Sequence, residues 1–155
     1  MKKILLINPP FNIAKENYDS SISVGLLSIA TYLDAHGILV KILDGAREKD
    51  FLTNLEKEIL DSDYVGLSVM TTQIPAALKI SERIKEIKPS CKIIWGGTHP
   101  TFFPEQTIKN KLIDIISYGE GEETIYEIVS GKNLSDIKGV LYKEGEKIIK
   151  NSPRE

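Results

Sequence analysis

Short continuous apolar runs alternate along the chain with segments in which apolar residues recur every three or four positions. Such runs are typical of strands buried on both faces, and the longer period is typical of amphipathic helices. The continuous runs lie at residues 4–7, 39–43, 64–69, 92–95 and 113–117. The periodic segments lie at residues 23–36, 50–60, 74–88, 104–110 and 122–129. This order predicts five strands, each followed by a helix.

Strands and helices that alternate in this way require right-handed crossovers, which place parallel strands between two layers of helices. We therefore expect an α/β fold with a three-layer, doubly wound sheet of the flavodoxin-like or Rossmann-like kind. Its five parallel strands should follow the order 2-1-3-4-5. Ligands of such sheets bind beyond the carboxyl ends of the strands, near the point where the strand order reverses. The loops after strands one, three, four and five are the candidate site.

The pattern changes after Gly131. Residues 139–142 and 147–149 flank a polar turn, which predicts a C-terminal β-hairpin, and residues 151–155 carry no core-forming side chain. We predict an α/β domain over residues 1–131. Residues 132–155 should form the hairpin and an exit segment.

Composition narrows the possible functions. The 155 residues suit one domain, and 41% hydrophobic with 27% charged residues is ordinary globular composition. A net charge of −2 without long single-sign blocks argues against binding to nucleic acid or to a membrane. No apolar run is long enough to cross a bilayer, and the start does not read as a signal peptide, so we expect a cytoplasmic protein. The single cysteine, Cys91, cannot hold an iron–sulfur cluster alone.

The strand-end loops carry the candidate chemistry. The first loop, residues 8–22, is long enough to indicate a functional or disordered segment. In the third, the hydroxyls of residues 68–72 could bond a phosphate or ribose, or Thr71 or Thr72 could cap the next helix. In the fourth, Gly96 and Gly97 either admit a ligand or form a plain tight turn.

Other sequence signals are weaker or absent. No Gly-x-Gly-x-x-Gly follows the first strand and no Walker phosphate loop occurs, which disfavours a nicotinamide or P-loop site. His36 should meet carbonyls at a helix end, and Cys91 should be a structural thiol. His99 is equally well a polar loop residue or a pocket wall.

Taken together, the loops resemble those of the cobalamin-binding domain. The form they resemble is found at the N-terminus of cobalamin-dependent radical S-adenosylmethionine enzymes. The segment Ser-Val-Met-Thr-Thr at 68–72 is similar to the Ser-x-Leu-x-Thr motif that embraces the cofactor's nucleotide tail, and Gly96-Gly97 is similar to the second tail motif. Segments 6–10, 25–30, 97–101 and 118–122 resemble the radical-enzyme subgroup.

The resemblance implies cobalamin as the cofactor and a catalytic radical domain as the partner, in cis or in trans. No catalytic residue and no metal ligand is expected in this chain. The cofactor-binding residues that the resemblance implies are Asn8, Pro9, Ser68, Met70, Thr71, Thr72, Gly96, Gly97, Thr98, His99, Tyr118, Gly119, Glu120 and Gly121.

Two departures from the wider family shape these expectations. The Asp-x-His-x-x-Gly motif that supplies an axial histidine is missing, because Asp19 is followed by Ser20 and Ser21. Base-off cobalamin without histidine ligation is therefore implied. The cysteine motif of the radical enzymes is also absent, so the cluster and S-adenosylmethionine would bind only in another domain.

The first interpretation is thus a cobalamin carrier domain of a radical enzyme, for example a methyltransferase. The alternative is a structural or interaction domain of the same fold that has lost the cofactor. A flavodoxin-like enzyme or phosphoreceiver is weaker, because no acidic pair follows the first strand and no aromatic-rich flavin loops occur.

Overall fold

A computed structural model describes residues 2–13 and 23–154 of the chain. Its strands form one seven-stranded sheet in the order β2-β1-β3-β4-β5-β6-β7. The strands are β1 (Lys3–Asn8), β2 (Leu39–Asp44), β3 (Tyr64–Ser68), β4 (Lys92–Gly96), β5 (Ile115–Ser117), β6 (Val140–Glu144) and β7 (Lys147–Lys150).

The helices lie on both faces of this sheet. They are α1 (Val24–Ala35), α2 (Phe51–Leu60), α3 (Ile74–Ile87), α4 (Thr98–Phe102), α5 (Pro104–Thr107) and α6 (Glu122–Ser130), with 3-10 turns at Thr71–Gln73 and Leu134–Asp136. Among the described residues, no helix is long and apolar enough to span a membrane.

The predicted strand order is confirmed. Strands β1 to β5 are parallel and follow the order 2-1-3-4-5, so the order reverses between β1 and β3. The loops that begin at Asn8 and after Ser68 therefore leave neighbouring strands at the same edge of the sheet.

The hairpin is part of the same sheet. Strand β6 pairs antiparallel with β5, and Val140 and Leu141 are fully buried. The chain end is also held in place, since Arg154 forms ion pairs with Glu123 and Glu127 of α6. Residues 151–154 therefore contribute polar anchoring, although no side chain there joins the apolar core.

Two apolar cores lie on opposite faces of the sheet. One packs α2 and α3 against the sheet around Trp95, whose indole N–H donates to Ser81 Oγ over 3.1 Å. The other packs α1 and α6 against Leu6 and Ile94. The site described below opens on this second face.

The segment after β4 differs from the prediction. Residues 98–102 form helix α4 where a glycine loop was expected, and the helix predicted over 104–110 is a single turn. Gly97 ends the extended strand with a positive φ of 95°, which lets the chain turn at once into the helix. Asp50 directly precedes α2, but its side chain makes no capping bond.

Candidate cofactor site at the strand ends

A cavity of about 160 Å³ lies at the carboxyl end of the parallel strands, between the sheet and helices α1 and α6. We call it the strand-end cavity. Leu6, Ile94 and Ile125 give it apolar walls. Its glycines are Gly25, Gly66, Gly96, Gly97, Gly119 and Gly121.

The cavity stays open because its lining glycines have no side chains. A Cβ built on Gly25 would meet no atom within 4 Å, and one built on Gly96 would come only as near as 3.4 Å to the carbonyl oxygen of Ser117. Larger side chains at these positions would therefore extend into the cavity without first displacing the protein's own backbone. An apolar slot with this lining suits a flat or narrow ligand.

Two hydroxyl groups that line the strand-end cavity have no hydrogen-bond partner among the described residues. Ser68 ends β3 and Ser117 ends β5, and neither side chain makes a hydrogen bond to any residue of the described ranges. Ser117 is only 3% exposed. Both hydroxyls can therefore bond to a ligand in the cavity without giving up a hydrogen bond to another described residue.

Gln73 joins the loops on the two sides of the reversal point. Its side-chain N–H groups donate to Asn8 Oδ1 over 3.1 Å and to the Pro9 carbonyl over 2.7 Å. Its side-chain oxygen accepts the backbone N–H of Met70 over 2.9 Å. Sequence reasoning did not single out Gln73, although its amide at the start of a helix was a usable signal. It is a positioning residue. The N-cap of α3 is Gln73 rather than Thr71 or Thr72, and its side chain makes no capping bond to the helix.

His99 and Thr71 connect the loops after β4 and β3. Thr71 Oγ1 lies 3.1 Å from His99 Nδ1, and the imidazole packs at 5.3 Å between ring centres on Phe103. The backbones also meet, because Val69 N–H donates to the Gly96 carbonyl over 2.8 Å and His99 N–H donates to the Val69 carbonyl over 3.0 Å. These contacts build one continuous rim at the strand ends.

The residues implied by the resemblance fall into two groups. Those that line the strand-end cavity are Ser68, Gly96, Gly97, Gly119, Glu120 and Gly121. Those that do not line it are Asn8, Pro9, Met70, Thr71, Thr72, Thr98, His99 and Tyr118.

Several of the second group have structural partners instead. Asn8 donates to Asp44 Oδ1 over 2.9 Å, which joins the ends of β1 and β2. The Tyr118 ring lies in the core on the α2–α3 face, and its hydroxyl donates to the Asn151 carbonyl. Burial raises the pKa of Tyr118, so its phenol stays protonated.

Gly97 is needed chiefly for a close approach to the protein's own backbone rather than to a ligand. Its Cβ would lie 2.7 Å from Val69 N and 3.1 Å from Ser68 Oγ, so the close approach is to the protein's own backbone. A valine at Gly97 would therefore cost stability as well as narrow the cavity, so it cannot serve as a clean test of ligand binding. Gly25 and Gly96 are the better positions for that test.

Apolar side chains are exposed near this edge. Phe102 is 74% and Phe103 is 50% exposed, and Phe11 and Met70 are also exposed. We call these four residues the apolar rim. The rest of the first loop, residues 14–22, lies outside the described residues.

Neither Cys91 nor His36 belongs to this site. Cys91 is 1% exposed, and burial raises the pKa of its thiol to about 11, as expected of a structural thiol. His36 Nδ1 lies 2.7 Å from the Tyr32 carbonyl at the end of α1, which confirms its predicted structural role.

Residues 15–129 match the family model of the B12 binding domain. The chain belongs to the B12-binding domain family. The family expected from the loop motifs is thus confirmed. This B12-binding domain is 33% identical, over 98% of its length, to the uncharacterized methyltransferase PH0819 of Pyrococcus horikoshii. It is 28% identical, over 97% of its length, to an anaerobic magnesium-protoporphyrin IX monomethyl ester cyclase of Synechocystis.

The relatives are longer proteins. This B12-binding domain spans 35% of the Pyrococcus protein and 32% of the Synechocystis protein, which is about a third of each.

Solved structures share the fold. The radical S-adenosylmethionine methyltransferase TsrM from Kitasatospora setae, with cobalamin and a [4Fe-4S] cluster bound, superposes with a TM-score of 0.80 at 20% identity. That match covers 99% of this B12-binding domain and 29% of TsrM. The cobalamin-dependent S-adenosylmethionine radical enzyme OxsB gives 0.78 at 22% identity, covering 100% of the domain and 23% of OxsB.

Proposed function

We propose that this domain binds cobalamin and carries it for a radical S-adenosylmethionine enzyme, with the nucleotide tail of the cofactor in the strand-end cavity. The observation that carries the proposal is the cavity itself, which is lined by glycines and by two hydroxyls that bond to no residue in the described part of the chain. It lies at the strand ends of a chain whose family is the B12-binding domain.

The donor set of the cavity fits such a tail. An aromatic base needs a narrow apolar slot, which Leu6, Ile94 and the side-chain-free surface of Gly66 provide. A ribose and a phosphate need hydrogen-bond donors, which the hydroxyls of Ser68 and Ser117 provide. These residues bind and orient the tail and exclude water from the base.

We further propose that the cofactor is bound base-off and without a histidine ligand. The cavity would hold the nucleotide base away from the cobalt, and the first loop has Ser20 and Ser21 where the histidine motif would continue after Asp19. Electron paramagnetic resonance of the reduced Co(II) complex tests this. We expect no superhyperfine splitting from an axial nitrogen, and a nitrogen triplet would contradict the proposal.

Bound cobalamin supplies a cobalt centre that accepts and donates a methyl group. The chain's own residues hold it, and the radical chemistry belongs to a second domain in cis or in trans. We propose that residues 1–131 are the carrier domain, that residues 132–155 lead toward the catalytic domain, and that the apolar rim contacts it. The isolated chain with reductant, hydroxocobalamin and S-adenosylmethionine should form no 5′-deoxyadenosine. Turnover without added iron would contradict the carrier function.

A leucine at Gly25 tests the strand-end cavity directly. The added side chain meets no protein atom at its Cβ, so the fold should tolerate it while the cavity is filled. We expect hydroxocobalamin affinity, followed by absorbance, to fall at least tenfold in Gly25→Leu. The matched control is Val24→Leu, since Val24 precedes Gly25 on α1, is 74% exposed and does not line the cavity.

The outcomes separate the two candidate functions. Equal affinities of Gly25→Leu and Val24→Leu, at matched melting temperatures, would place the tail elsewhere. Absence of binding by the wild-type chain would favour the alternative, a structural or interaction domain that keeps the fold without the cofactor.

A further inference from the structure

A second depression lies at the opposite end of the sheet, where the parallel strands begin. It has a volume of about 420 Å³ and is on the same sheet face as α1 and α6. Tyr64, Ile115 and Tyr142 line it from the sheet, and Gly131 and Lys132 line it from the end of α6. No part of the strand-end cavity contributes to it.

Lysines dominate the lining of this depression, which we call the lysine pocket. They are Lys2, Lys92, Lys111, Lys132 and Lys143. The one carboxylate among the lining residues, Asp114, is already paired over 2.7 Å with Lys85. The pocket therefore carries a local excess of positive charge.

Four of these ammonium groups have no carboxylate partner among the described residues. Lys132 pairs with Glu127, but within residues 2–13 and 23–154 no carboxylate lies within 4.0 Å of the ammonium groups of Lys2, Lys92, Lys111 and Lys143. The neighbouring Asp63 does not line the pocket, and its carboxylate accepts the backbone N–H of Lys3.

Two of these four lysines are held in position by the fold. Lys143 Nζ donates to the carbonyls of Asn110 over 2.6 Å and of Ile113 over 2.9 Å, and burial lowers the pKa of Lys143. Lys2 Nζ lies 5.7 Å from the centre of the Tyr64 ring. Contacts with carbonyls and a ring leave the positive charges uncompensated.

This concentration of like charge is not a consequence of composition, because the whole chain has a net charge of −2. Neighbouring ammonium groups repel one another, so their clustering is unfavourable unless an anion binds between them. The shape points to a small anion, since 420 Å³ is in the range of small-molecule sites and a protein interface is usually flatter.

We propose that the lysine pocket binds a small molecule through a diphosphate group. Lysine ammonium groups are point charges that suit phosphate oxygens without fixed geometry, and the Tyr64 ring offers a stacking surface beside them. The site is independent of the strand-end cavity, so either can fail without the other.

A titration with pyrophosphate tests the proposal. Amide resonances of the ¹⁵N-labelled full chain are followed at constant ionic strength, with sodium chloride replaced in step. We expect saturable shifts confined to residues near Tyr64, Lys92, 111–114 and Gly131. The double variant Lys92→Gln/Lys111→Gln should lose about tenfold in affinity, which is the loss of two partly screened charge contacts.

The matched control is Lys57→Gln/Lys79→Gln, which removes the same charge from exposed positions on α2 and α3 outside the pocket. It should bind pyrophosphate as the wild type does. Equal losses in both double variants, or shifts that follow ionic strength alone, would overturn the proposal. Tighter binding of a hexaglutamate peptide than of pyrophosphate would also overturn it, because the pocket would then belong to an acidic polypeptide.

Discussion

An alanine at Gly97 should cost the domain much more stability than an alanine at Gly119. Both glycines have positive φ, 95° and 78°, so each replacement brings backbone strain of about 1–2 kcal/mol. Only at Gly97 would the Cβ also collide, 2.7 Å from Val69 N, whereas at Gly119 it meets nothing within 4 Å.

The collision adds a second cost at Gly97. Relief requires the loops after β3 and β4 to separate, which weakens the bonds from Val69 N–H to the Gly96 carbonyl and from His99 N–H to the Val69 carbonyl. Each such bond contributes about 1 kcal/mol net. We therefore expect a loss of about 3–4 kcal/mol for Gly97→Ala and of about 1–2 kcal/mol for Gly119→Ala.

Urea unfolding followed by circular dichroism measures both losses, and thermal unfolding gives a second estimate. For a domain of this size the melting temperature should fall by about 10 °C in Gly97→Ala and by about 4 °C in Gly119→Ala. Equal losses would refute the reasoning, because they would mean that the two loops do not approach each other at Gly97.

Three further measurements test other parts of the structure. Ser117→Ala should leave the free energy of unfolding within about 0.5 kcal/mol of the wild type, while hydroxocobalamin affinity falls several-fold, because the hydroxyl has no partner in the described protein. Burial alone would raise the pKa of Glu127, but hydrogen bonds from Lys132 and Arg154 outweigh burial and lower that pKa. The stability that Glu127 contributes should therefore be complete above about pH 4.5 and vanish on further acidification. Glu127→Gln should remove that acid dependence. Cys91 should react with a thiol reagent at pH 8 only after unfolding, because its pKa is about 11.

The C-terminal hairpin is fastened to the last parallel strand and to the segment after β4. Strand β6 covers the edge of β5, and Lys150 lies 5.6 Å from the ring centre of Tyr118 while pairing with Glu105. That ion pair raises the pKa of Lys150 and lowers the pKa of Glu105. The end of the hairpin thus lies beside the strand-end edge of the sheet.

The local pattern of the sequence was enough to predict the parallel strands, their order and the edge that carries the site. Periodic apolar residues report which element forms and which face it buries, and short strand–helix connections restrict the order. Ser68 and Gly96 could be placed at the strand-end cavity for the same reason, since each directly ends a strand.

Only the tertiary structure decided which side chains meet across elements. The Tyr118 ring packs in the core on the α2–α3 face, and the Gln73 side chain bonds to the loop after β1. Gly97 lies against the backbone of Val69. The lysine pocket brings together residues from the two ends and the middle of the chain. The periodicity of hydrophobic residues does not report such contacts. They depend on how far neighbouring strands extend and how their loops turn, and both are set by long-range packing.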